Sequence, residues 1–102
     1  LENKATFIKA LADFAGHAAL YKCEPPMEYE DYDSDTNDYV TKTTEFVIVS
    51  AANVILSGPE TYIFPADESG EVTDWGELSG SYRGGLEHKK ALRGAGYSIA
   101  YT

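Results

Sequence analysis

Residues 24–38, EPPMEYEDYDSDTND, carry seven carboxylates and no lysine or arginine. Ionised carboxylates without partners do not enter a core, because desolvating them costs far more than burial returns. This stretch therefore belongs at the surface, and the remaining residues have to supply the core. With 102 residues, the chain has room for one core and one domain, residues 1–102, with an acidic loop at 24–38.

The flanking segments define what that loop connects. Residues 4–15 place Phe7, Ile8, Leu11, Phe14 and Ala15 at helical spacing, with Asn3 as cap and Gly16 as stop, and predict an N-terminal amphipathic helix. Residues 17–23 read as a strand that Pro25 and Pro26 end. Residues 39–49 are rich in Val, Thr, Phe and Ile, and the continuous run TEFVIV at 44–49 predicts a strand buried on both faces at one end. The acidic segment is thus a strand-to-strand connection of about a dozen residues, either a hairpin tip or a disordered loop. Residues 50–56 fit no single element, and 57–59 read as a turn. Residues 61–65 and 71–75 read as a hairpin around the turn Asp67-Glu68-Ser69-Gly70. A Gly/Ser-rich stretch, 76–85, leads to a short helix at 86–94 and a last strand at 97–101. The expected fold is α+β: a small, mostly antiparallel sheet with an N-terminal helix and a short helix before the last strand.

Charge narrows the function classes. The net charge of −9 disfavours direct binding to nucleic acid or to anionic membrane surfaces, and favours a basic protein surface as partner. The lone cysteine, Cys23, forms no disulfide within the chain, which fits a reducing, cytoplasmic setting, and it reads as a small buried hydrophobe. No apolar segment reaches the length of a membrane span. Oligomeric state has no signature here.

Two places hold candidate site residues. The first is the acidic run. Asp31, Asp33, Asp35 and Asn37 alternate like the start of a calcium loop, but Thr36 stands at the glycine position and Lys42 at the bidentate-glutamate position. Shifting the frame to Asp33 places Asp38 and Thr44 at those positions, so no metal site is assigned. The alternative is a surface that imitates phosphates: Tyr29, Asp31, Tyr32, Asp33, Asp35 and Asp38 engaging a basic groove, with the tyrosines adding rigid contact area. The second place is the basic, glycine-rich region at 75–90, where Trp75, Tyr82, Arg83 and His88 would bind a nucleotide or phosphate. It matches no phosphate-loop pattern. No nucleophile elbow, zinc motif or cysteine pair is present, and carboxylates in a polar loop stay ionised, so no catalytic residue and no cofactor is expected.

The string GPETYIFPADESGEVTDWGELSGSYRGGLEHKKALRGAGY, together with GHAALYKCEPP, resembles small acidic uncharacterised proteins encoded by tailed phages and prophages. The acidic run lies outside the matching motifs. The resemblance carries no site residues over. It implies an accessory protein in the host cytoplasm that blocks a host protein or nuclease, or a small virion or assembly component.

Overall fold

The computed structural model describes residues 3–11, 17–54, 58–73, 82–83 and 88–100, with the backbone alone at 53–54 and 82–83. Strands dominate: β1 (Lys4–Leu11), β2 (His17–Asp33), β3 (Asp38–Val54), β4 (Gly58–Ala66), β5 (Tyr82–Arg83) and β6 (Ser98–Ala100). One short helix, α1 (His88–Gly94), precedes β6. The six strands form one sheet in the order β5-β4-β3-β2-β1-β6. β1 to β4 form an antiparallel meander and β5 adds to β4 antiparallel, whereas β6 pairs with β1 in parallel. The chain therefore leaves one edge of the sheet, passes through α1, and returns at the other edge.

This overturns the expected α+β arrangement, because the N-terminal segment is a strand and not a helix. The reason is local. β1 carries a register shift between Phe7 and Lys9. A bulge breaks the period of two, so the inward positions come at mixed spacings that imitate a helical stripe. Both faces of β1 also meet core: Ala5 and Phe7 pack on one side, Leu11 on the other. Thr6, Phe7 and Ile8 are themselves β formers. The predicted helix end at 12–16 lies outside the described residues.

α1 covers one face of the sheet. Its buried Ala91 and Leu92 pack against Ala19, Tyr21 and Cys23 of β2, Val47 and Val49 of β3, and Ile63 of β4. Gly96, with φ 94°, lets the chain turn out of the helix into β6, and Tyr97 N–H closes the end on Leu92 C=O at 2.9 Å. On the opposite face a smaller cluster joins Ala18, Leu20, Ile48 and Ala66, with Leu11, Phe46 and Val72 against it. Val47, Ile48 and Val49 are all fully buried, because alternate residues feed the two cores.

The turn after β4 closes part of that second face. Asp67 Oδ1 accepts from Ser69 N, Ser69 Oγ and Glu71 N at 3.0, 2.6 and 3.1 Å. Lys9 Nζ donates to Ser69 O at 3.1 Å. A side chain at Gly70 would stand 3.3 Å from Leu11 Cδ2, and its φ of 94° already favours glycine. The hairpin expected at 61–75 survives only as the bridge Ala66–Val72 among the described residues. No helix among the described residues is long and apolar enough to cross a membrane.

Candidate functional site

The two prolines do not end β2. It runs through them to Asp33, 17 residues in all, and β3 matches it in length. Lys22 pairs with Phe46, and the next pair is Met27 with Thr44, so residues 23–26 form an irregularity on β2. Pro25 and Pro26 sit there, where the β3 side needs no N–H from them. Tyr97 Oη, from between α1 and β6, donates to Pro25 O at 2.6 Å, and Thr44 Oγ1 donates to Phe46 O within β3 at 2.6 Å, so hydrogen bonds fix the joint on the β2 and β3 sides.

Beyond the joint no other described strand pairs with the hairpin. β1 pairs with β2 only as far as Glu24, and β4 with β3 only from Phe46. Residues 27–33 and 38–44 therefore form a two-stranded arm, about 20 Å long from seven residues at ~3.3 Å each. The acidic run is strand and turn, not loop. Its turn, residues 34–37, places Asn37 at φ 58°, a left-handed position that asparagine tolerates. Asp33 Oδ1 accepts from Asp35 N at 2.9 Å, and Asp38 Oδ1 from Tyr39 N at 2.8 Å.

The pairing register sorts the candidate residues onto two faces. Met27, Tyr29, Asp31 and Asp33 share a face with Thr44, Lys42, Val40 and Asp38. Met27 and Tyr29 pack into the helix-side core. Lys42 Nζ donates to Asp31 Oδ2 at 2.7 Å, and this hydrogen bond holds the Asp31 carboxyl below the ordinary carboxylate range. Glu28, Glu30 and Tyr32 share the opposite face with Thr43, Thr41 and Tyr39. There Tyr32 and Tyr39 form a cross-strand pair, ring centroids 5.4 Å apart at 64°. They remain 50% and 65% exposed. Tyr32 Oη also donates to Asn37 Oδ1.

The six residues expected to act together are thus divided: Tyr29, Asp31, Asp33 and Asp38 on one face, Tyr32 on the other, and Asp35 in the turn. Sequence reasoning left out Glu28, Glu30 and Tyr39. The signal for them was parity with Tyr32, which becomes readable only once the run is taken as a strand.

The second candidate region is less complete. Trp75 lies outside the described residues, and Tyr82 and Arg83 are described as backbone of β5, paired with Thr61 and Glu60. His88 faces inward. Its Nε2 lies 2.9 Å from His17 O and its Nδ1 3.0 Å from Tyr21 Oη. The neutral tautomer with Nε2–H donating to the carbonyl and Nδ1 accepting from the tyrosine satisfies both. Burial lowers its pKa in the same sense. His88, Lys89, Lys90 and Arg93 border a cleft of ≈ 420 Å³ along α1, but the imidazole nitrogens are already engaged. Cys23 is buried, and burial pushes its thiol up to about 12, so it is not a nucleophile at neutral pH. Among the described residues, no group of three or more His, Cys, Asp or Glu is gathered to hold a metal ion. No family model, no curated protein and no solved structure matches the chain.

Proposed function

We propose that the protein is a non-enzymatic binding protein, a phage-type accessory protein of the host cytoplasm that blocks a basic, nucleic-acid-binding host protein. The observation that carries this reading is the arm: a two-stranded ribbon that runs on past the other described strands of the sheet and carries the chain's densest negative charge. Glu28, Glu30, Asp31 and Asp33 follow one another along one strand. At ~3.3 Å per residue these four carboxylates span about 17 Å and are shared between the two faces of the ribbon, a sparser charge than the one per 3.4 Å of a single strand of duplex DNA but of the same sign. A groove built for phosphates meets charge of the same sign whichever face of the ribbon it approaches. The arm ends in side-chain caps and a cross-strand aromatic pair, so little has to be ordered on binding. The phage setting rests on the sequence resemblance, and the inhibitory role on the charge.

The test is a capture and displacement experiment. Wild type is expected to retain a basic nucleic-acid-binding protein from a host lysate at low salt, to release it at high salt, and to displace nucleic acid from it. A variant with Glu30→Gln, Asp33→Asn, Asp35→Asn and Asp38→Asn keeps the turn caps and should lose all three behaviours. Equal retention by that variant, or retention indifferent to salt, overturns the reading.

A further inference from the structure

The two faces of the arm differ in what they leave open. One is largely occupied by the protein itself: Met27 is buried, Tyr29 packs on the core, and Lys42 neutralises Asp31. The other presents Tyr32 and Tyr39 to solvent, and they are two of the three large hydrophobic residues exposed among the described ones. Glu30 lies two residues before Tyr32 on the same face, about 6–7 Å along the strand, with Glu28 two residues further toward the body. Neither glutamate has a hydrogen bond or ion pair with a described residue.

We infer that the Tyr32–Tyr39 face of the arm is the docking face, and that it selects partners presenting arginine rather than lysine. This rests on the proposed reading of the arm as a binding element for a basic protein. Two features on the page point to arginine. The aromatic pair is T-shaped, so a ring face stays open to a planar cation. The free Glu30 carboxylate beside it accepts two parallel N–H bonds from a guanidinium. Arginine satisfies both at once, because its planar fork stacks on a ring and pairs with a carboxylate. A lysine ammonium supplies the charge but neither the stacking plane nor the fork. The hydrogen bond from Tyr32 to Asn37 holds the ring in place before any partner arrives.

The experiment measures binding of nona-arginine and nona-lysine peptides of equal charge to the intact protein by calorimetry at low salt. Wild type should prefer nona-arginine by about tenfold. Tyr32→Ala with Tyr39→Ala should remove that preference and leave nona-lysine affinity unchanged. Tyr39→Phe should retain the preference, which shows that the ring matters and controls for a damaged hairpin. Binding of both peptides by wild type with no preference, or with a preference that survives the double alanine variant, overturns this inference and leaves the acidic-arm reading standing. Failure of wild type to bind either peptide overturns both.

Discussion

The body and the arm are made from the same two strands, yet they are held by different forces. From Ala18 to Lys22, β2 lies between β1 and β3 and sends alternate residues into two cores. From Met27 to Asp33 the same strand has only β3 beside it among the described residues, and past Tyr29 none of its residues joins a core cluster of described residues. An isolated two-stranded ribbon is marginal in water. What holds the arm is its joint, its capped turn, the Asp31–Lys42 pair and the Tyr32–Tyr39 pair. Among the described residues both of its strand edges are unpaired, an arrangement that invites pairing with other chains, and a dense row of like charges is one way proteins suppress that. The dense charge therefore helps to keep the arm single. Most of the buried apolar packing lies in the body, and the dense negative charge lies in the arm.

The largest effect that should separate them is a core deletion. Leu92 is fully buried where α1 meets the sheet. Leu92→Ala should cost ~2–5 kcal/mol in urea unfolding. The arm variant with Glu30→Gln, Asp33→Asn, Asp35→Asn and Asp38→Asn should unfold at the wild-type midpoint or slightly above it, since like charges have been removed. A large loss in that variant would mean that the arm is part of the same cooperative unit.

How much of this was legible from the residues follows the same division. The burial of Val47, Ile48 and Val49, the Asp67–Gly70 turn and a late short helix each have strong local signatures, because turn chemistry and continuous apolar runs speak for themselves. β1 misled because a bulge shifts its alternation and because Phe7 and Leu11 serve opposite faces. The arm misled because strand recognition depends on apolar alternation, and here both faces are polar beyond Tyr29. Pro25 and Pro26 read as a stop because prolines break ladders, yet they fall at the irregularity where no ladder bond is asked of them. Within the acidic run, register and not composition decides that Asp31 and Tyr32 face opposite ways.

A smaller effect, confined to the body, is set by His88. Its neutral ring links the start of α1 to Tyr21 and to the His17 carbonyl, and burial holds its pKa below the unfolded value of 6.5. The folded state therefore binds fewer protons than the unfolded state just below that value. Its contribution is fully present above pH 6.5, is lost as pH falls through the folded pKa, and changes no further below it. The thermal midpoint of wild type should fall as pH drops from neutrality through this window, and His88→Gln should flatten that part of the profile. An unchanged slope in His88→Gln would show that another group is responsible. Arm variants should leave it untouched.

The smallest effect belongs to the arm alone. Lys42 holds the Asp31 carboxyl below its ordinary 3.8, chiefly through the hydrogen bond from its ammonium group. A depressed carboxyl stabilises the folded arm above the unfolded pKa and stops doing so as pH falls through the folded one. The pair is largely open to water, so salt screens it and the long Lys42 side chain has to be ordered to make it. Lys42→Met should therefore move the Asp31 midpoint, followed by its carboxyl carbon in NMR, up toward 3.8. It should leave the thermal midpoint at neutral pH where it was. A clear loss of thermal stability in Lys42→Met would mean that the arm's own pairs report to the body's core. The arm would then be an extension of the sheet rather than a separate recognition element mounted on it.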